Sequence, residues 1–202
     1  MTFHTRRALH RWLLCLAALT LSLGAIAQTA QTAELPRVKL STNFGDIVLE
    51  LYPDKAPATV ENFLQYVRDK HYNGTIFNRV INGFMIQGGG YDQRFIERQT
   101  RAPVRHEGRE AIERGGPRNT VGTVAMARTN NPDSATAQFF INVANNGFLD
   151  PTPQQPGYTV FGKVISGMDV VEKIRGLPTG FGGPFRSDVP VRPVIIQSAV
   201  VL

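Results

Sequence analysis

From Arg37 to Leu202 the chain carries about seven or eight strand-like runs and only two helical ones, with no regular strand–helix alternation. Neighbouring parallel strands need a crossover, usually a helix, so this order excludes a doubly wound sheet. What remains is an antiparallel barrel or sandwich carrying two helices. In "RVKLSTNFGDIVLELY", Val38 and Leu40 alternate before the turn Asn43-Phe44-Gly45-Asp46, and Ile47, Leu49 and Leu51 alternate after it. That is a hairpin signal. The period then lengthens, with Val60, Phe63, Leu64 and Val67 at i, i+3, i+4 and i+7 on one helix face. This helix is expected to begin at Ala58 or Thr59 behind Pro57 and to end at Asn73-Gly74. "FNRVINGFMIQGGG", "TVGTVAMART", "AQFFINVAN", "YTVFGKVI" and "RPVIIQSAVVL" read as further strands. "GMDVVEKIRGL" reads as a short helix with Met168, Val171 and Ile174 on one side. Residues 91–118, "NNGFLDPTPQQPG" and "FGGPFRSDVP" read as loops. With no internal repeat and no linker after Pro36, residues 37–202 form one expected domain.

The beginning of the chain has a different logic. Arg6, Arg7 and Arg11 precede an apolar run from Trp12 that ends in the small-x-small pattern Ala25-Ile26-Ala27. The run is short for a bilayer span, which needs about 20 apolar residues. Residues 1–27 are therefore expected to be a cleaved secretory signal, with an uncleaved anchor as the alternative. Residues 28–36 are small and polar and are expected to be a flexible start to an exported protein without stable membrane association. Removing three arginines and no acid lowers the net charge from +6 to +3. Cys15, the single cysteine, leaves with the signal, so neither a disulfide nor a thiol nucleophile is available.

The remaining residues exclude most covalent chemistry. His71 and His106 are the only histidines left, and His71, at the expected helix end, reads as solvated or capping. No HExxH or CxxC spacing marks a metal site, no cofactor motif is present, and Ser134 lacks a GxSxG elbow. Gly88-Gly89-Gly90 lacks the lysine and Ser/Thr of a phosphate loop; a bulge or close backbone approach explains it better. The arginines between 94 and 118 are interleaved with Glu97, Glu107, Glu110 and Glu113, which reads as a solvated loop and not a nucleic-acid surface.

One reaction suits a chain with a cation among aromatic and sulfur-bearing residues but no nucleophile. Rotation about an X–Pro bond breaks no bond, yet its barrier is roughly 18–20 kcal/mol. A protein lowers that barrier by binding the twisted amide better than either planar form. Twisting localises a lone pair on the prolyl nitrogen, which a fixed guanidinium such as that of Arg79 can meet while an apolar pocket grips the ring.

The blocks "FNRVINGFMIQGGG", "GTVAMART", "SATAQFFINV", "GFLD" and "YTVFGKV", in that order, resemble the cyclophilin-type prolyl isomerases, in particular their exported bacterial branch. The resemblance implies a closed eight-stranded antiparallel β-barrel capped by two α-helices. It implies Arg79 as the catalytic residue, with Phe84, Met85, Phe140 and Leu149 as the proline pocket. Gln87 and Gln138 would orient substrate backbone, Ala127 and Arg128 would contact substrate largely through backbone, and Phe148 and Tyr158 would complete the wall. Strand parity puts Phe77, Arg79 and Ile81 on one face, and Met85 with Gln87 on one face. Of the neighbours Phe139 and Phe140, one enters the core, and the family pattern assigns Phe140 to the site. Many eukaryotic members have tryptophan at Phe148 and histidine at Tyr158; losing the indole donor implies weak cyclosporin binding. Arg128 stands where many relatives carry asparagine and would add a charge preference. The implied partners are proline-containing polypeptides, met by a monomer in the periplasm. A proline-peptide binding module with incidental turnover is the competing reading. The triple glycine is expected to bend the chain beside the groove and bring its backbone close to a peptide.

Overall fold

The computed structural model describes residues 34–202; the expected signal, 1–27, lies outside the described residues, as does most of the segment 28–36. In chain order the elements are β1 (Arg37–Thr42), β2 (Gly45–Leu51), α1 (Pro57–Arg68), β3 (Thr75–Ile76), β4 (Arg79–Ile81) and β5 (Met85–Gly88). There follow α2 (Gly108–Glu113), β6 (Thr123–Met126), β7 (Phe139–Asn142), β8 (Val160–Ser166) and α3 (Met168–Arg175). The chain closes with β9 (Thr179–Gly182), β10 (Phe185–Pro190) and β11 (Ile195–Val201).

Nine strands form one curled antiparallel sheet in the order β3-β11-β1-β2-β8-β6-β7-β5-β4. Its two end strands, β3 and β4, are consecutive pieces of one extended stretch. The first half pairs with β11 through Ile195↔Ile76, and the second with β5 through Val80↔Ile86. Phe77 N donates to Val194 O at 2.9 Å, and Gly89 N to Ile76 O at 3.3 Å, across the same seam. Counted as one strand, these pieces give eight strands, and the mainly-β class is as expected, but the sheet is a curled half-barrel and not the closed barrel expected.

The β1–β2 hairpin forms where the alternation placed it, with Val38↔Leu49 and Leu40↔Ile47 in register and all four side chains fully buried. At the turn Thr42 Oγ1 donates to Gly45 O at 2.7 Å and accepts from Phe44 N at 3.0 Å. The cross-strand row Val80, Ile86, Ile141 and Val124 faces inward, where it meets Val60, Phe63, Leu64 and Val67 of α1 and Val171 and Ile174 of α3. Among the described residues no helix is long and apolar enough to cross a membrane.

Several expectations need correction. There are three α-helices, not two: α2 has six residues, too few to display a helical period. The segment read as the loop "FGGPFRSDVP" belongs largely to the β9–β10 hairpin, whose register shifts between Phe185 and Val189, which hides its alternation. Helix α1 ends at Arg68 rather than Asn73-Gly74; Lys70 and Gly74 take positive φ in the turns beyond. Phe77 does not share the face of Arg79. It lies in the core beside Phe139, because pairing is interrupted at Phe77-Asn78 and parity does not carry across the break.

Glu107 and His71 are not solvated either. Glu107 is buried at the start of α1, where its carboxylate accepts from Thr59 N and Thr59 Oγ1, both at 2.8 Å, and from Ala58 N at 3.2 Å. A carboxylate there satisfies otherwise orphaned amides at the positive end of the helix. His71 is buried between Tyr66 and Tyr72, with Nε2 3.0 Å from Gly89 O.

Candidate active site

The outer face of the same strands carries a second row. Arg79 stands opposite Gln87, Gln87 opposite Phe140, Phe140 opposite Ala125, and Ala125 opposite Val160. Each is one residue along from the inward row, so the pleat alone sends these side chains outward. Ile81 faces Met85 in the next row. Phe139 and Phe140 divide accordingly: Phe139 meets Phe63, Tyr72 and Phe77 edge-on inside the barrel, while Phe140 meets Tyr158 edge-on at 5.6 Å outside it.

Met85, Ala125, Phe140 and Val160 form an apolar cluster separate from the main core. Above it opens a cavity of about 210 Å³. Phe84, Met85, Phe140, Leu149 and Tyr158 supply its apolar walls, and Arg79, Gln87, Ala127 and Arg128 stand around them. The space suits a single ring better than a larger ligand. Gln138 and Phe148 are outside this lining but next to it. Gln87 Nε2 donates to Gln138 Oε1 at 3.1 Å, and the exposed Phe148 ring stands 5.6 Å from that of Phe84, tilted by 31°.

The Arg79 side chain is 44% exposed, and its Nε is 4.0 Å from Asp188 Oδ2. Asp188 lies in the irregular part of β10 with φ +67. The sequence reading missed it, since a carboxylate in a Gly/Pro-rich segment carries no periodic signal.

Arg128 is held differently. Its Nε and Nη2 donate to Gly157 O at 3.1 and 2.7 Å, Nη1 donates to Thr129 O at 2.8 Å, and its guanidinium lies 4.4 Å from the Tyr158 ring centre. His106 shares the same acceptor. Its Nδ1 accepts from Gly108 N at 3.3 Å, which leaves Nε2 to donate to Gly157 O at 3.2 Å. Burial, and then the neighbouring Arg128 charge, hold the His106 imidazole below its ordinary pKa.

Behind the pocket lies a buried amide network. Asn146 Nδ2 donates to Phe84 O at 2.8 Å and to Asn142 Oδ1 at 2.7 Å. Asn142 Nδ2 donates to Asn119 Oδ1 at 3.2 Å and to Thr123 Oγ1 at 3.0 Å. Asp150 Oδ1 accepts from Asn119 N and Nδ2 at 2.8 and 3.0 Å. Leu149 N donates to Asn146 O at 2.8 Å, so Asn146 ties two pocket walls together. None of these amides stood out in the sequence, where Asn119 and Asn146 read as ordinary turn residues and Asn142 as one polar position at the end of a strand-like run.

The triple glycine serves the barrel. Gly89 takes φ +90, as a bend requires, but a Cβ at Gly88 would meet Ile76 O at 2.7 Å, and one at Gly90 would meet Gln138 at 2.6 Å. Close approach there is to the chain's own strand seam and to the Gln138 side chain, in place of the expected peptide.

The arginines of 94–118 are engaged locally: Arg101 with Asp69, Arg105 with Glu110, and Arg98 Nη1 with His71 O. Among the described residues no group of His, Cys, Asp or Glu is arranged to hold a metal ion.

The family model for "Cyclophilin type peptidyl-prolyl cis-trans isomerase/CLD" matches residues 37–201. A peptidyl-prolyl cis-trans isomerase of Acinetobacter baylyi is 49% identical over 179 residues, covering 89% of this chain and 92% of the relative. Peptidyl-prolyl cis-trans isomerase B of Escherichia coli K12 is 52% identical over 167 residues, covering 81% and 98%. A crystal structure of a cyclophilin-type isomerase from Cryptosporidium parvum superposes with a TM-score of 0.67 at 27% identity, covering 83% of this chain and 98% of that one. The same isomerase determined in the presence of the dipeptide Ala-Pro gives 0.66 at 26% identity, covering 82% and 98%.

Proposed function

The chain belongs to the cyclophilin-type peptidyl-prolyl cis-trans isomerases, and from that premise we propose that it turns over X–Pro bonds in exported polypeptides with Arg79 as the catalytic residue. The observation that carries this reading is the transverse row Arg79–Gln87–Phe140, which sets the Arg79 guanidinium beside an apolar-walled cavity with room for a proline ring.

Phe84, Met85, Phe140 and Leu149 grip the ring by apolar contact, and Tyr158 closes one side. Gln87, steadied by Gln138, orients the peptide backbone on either side of the ring. As the amide twists out of plane, resonance is lost and the prolyl nitrogen becomes a hydrogen-bond acceptor. The Arg79 guanidinium donates to that nitrogen in the twisted state only, which is where a donor accelerates the reaction. No proton is transferred and no bond to the substrate is made.

Export rests on the arginines and apolar run of residues 1–27, and assistance to the folding of periplasmic clients follows from that location. Fractionation of cells producing the full chain tests it: the shortened protein in the periplasm supports export, and full-length protein in the cytosol overturns it. A peptide-binding module without turnover would need the apolar pocket but not the donor. A protease-coupled assay on an X–Pro tetrapeptide separates the two readings. Arg79→Ala is expected to lose about 2–4 kcal/mol of transition-state stabilisation, the scale of one electrostatic donor. An unchanged kcat/KM would remove Arg79 from the mechanism.

A further inference from the structure

We propose that Arg128 makes this groove selective for polypeptides with an acidic side chain flanking the X–Pro bond. The inference rests on the isomerase reading and deepens it by naming a substrate class.

The argument begins with how Arg128 is held. A surface arginine ordinarily loses much of its attraction for a partner to side-chain entropy and screening. Here that entropy is already lost, because Nε and Nη2 share Gly157 O, Nη1 is bound to Thr129 O, and the guanidinium lies over Tyr158. All the acceptors are neutral carbonyls, so the group is fixed but its charge is not cancelled. Among the described residues no carboxylate lies within ion-pair range of it. Of the carboxylates on the neighbouring loops, Glu110 is paired with Arg105 at 2.6 Å, and Asp133 is held by His106 N at 2.8 Å, which fixes its place without cancelling its charge. His106, on the same carbonyl, has its pKa lowered by burial and then by the Arg128 charge, so Arg128 is the cation at this corner.

The remainder of the cavity sharpens the effect. Its lining contains two guanidiniums and no carboxylate. Asp188, 4.0 Å from Arg79 Nε, offsets one of them in part and leaves Arg128 as the uncompensated charge. The lining around it is apolar and half-enclosed, so the field is screened less than at an open surface. A carboxylate reaching this corner from a bound peptide meets a donor with free N–H groups on Nη1 and Nη2, while a lysine there is repelled.

Exchange spectroscopy by NMR on capped tetrapeptides tests the proposal. One series, Ala-X-Pro-Ala, varies the residue before proline through Glu, Gln and Lys; a second, Ala-Ala-Pro-X, varies the residue after it. In at least one series the Glu peptide is expected to exceed the Lys peptide about fivefold in kcat/KM at low salt. The ratio should shrink towards one as salt rises from about 10 mM to about 0.5 M. The variant R128Q should abolish the ratio, whatever it does to absolute rates; a merely structural loosening of Tyr158 would slow all the peptides alike. A ratio that survives in R128Q, or no ratio in the wild type while the Gln peptides turn over, overturns the proposal. Failure to turn over any peptide would instead overturn the isomerase reading on which it stands.

Discussion

Arg79 and Gln87 are direct antiparallel partners on β4 and β5, and that register alone brings the proposed donor and the proposed orienting amide to one face. A slip of β4 by one residue against β5 would send Arg79 into the core and Val80 into solvent. The register is held by burial on the opposite side, where Val80, Ile86 and Ile141 fill the barrel. The chemistry on the outer face is thus fixed by the hydrophobic packing of the inner one.

Gly90 links the strand seam to the oriented amides. A Cβ there would lie 2.6 Å from Cγ and Cδ of Gln138, so Gly90→Ala should displace that side chain and deprive Gln87 of its acceptor. The obstacle is a flexible side chain, so the variant should fold. Loss of one neutral hydrogen bond is worth about 1 kcal/mol, and it should appear mainly as a several-fold rise in KM. Steady-state kinetics with an unchanged KM would show that the Gln87–Gln138 pair does not orient substrate.

Asn146 joins the pocket to its support. Asn146→Ala leaves Phe84 O bonded to Val143 N at 3.0 Å but removes the partner of the buried Asn142 Oδ1. An orphaned buried acceptor costs about 1–3 kcal/mol, which a urea midpoint would register. The backbone bond from Leu149 N to Asn146 O survives the substitution, but Phe84 O loses its side-chain donor, so kcat/KM should fall as well. A variant destabilised yet equally active would confine the network to a stability role.

The sign of the pH dependence follows from His71. Burial between Tyr66 and Tyr72 holds its pKa below the ordinary 6.5, so the folded state binds the neutral ring. The unfolded chain takes up a proton first as pH falls. His71 therefore contributes stability that is intact above 6.5 and is lost as pH falls through the depressed native value. Urea unfolding between about pH 7.5 and about pH 5 should show a steeper loss for wild type than for His71→Gln. Parallel curves would mean that the ring does not titrate with folding.

The pocket and the fold were legible to different degrees, for physical reasons. Val38, Leu40, Ile47 and Leu49 alternate strictly because one face is core and the other is not, and their hairpin followed directly. Phe140 needed the family pattern, since two adjacent phenylalanines give parity no way to choose. Phe77 was misassigned because parity holds only within an unbroken ladder, and the break at Asn78 leaves no mark in the residue types. Glu107, Asn146 and Asp188 acquire their meaning from partners far along the chain, for which a linear pattern has no signal: Glu107 caps a helix that begins at Pro57, Asn146 holds Phe84 O, and Asp188 approaches Arg79.

Phe148 makes the last prediction. It stands exposed on the turn Gly147–Leu149, its ring against Phe84 at the pocket rim, where many eukaryotic members of the family present tryptophan. Phenylalanine keeps the apolar contact with a proline-sized ring but offers no N–H to a macrocycle that spans the rim. Cyclosporin should therefore bind weakly while isomerase activity is retained. Phe148→Trp restores the donor at an exposed position beside the Phe84 ring, and one hydrogen bond of about 1 kcal/mol corresponds to roughly fivefold in Kd. Calorimetric titration of both proteins checks the expectation. Nanomolar binding by the wild type, or no tightening in the variant, would mean that the rim donor is not what limits cyclosporin affinity.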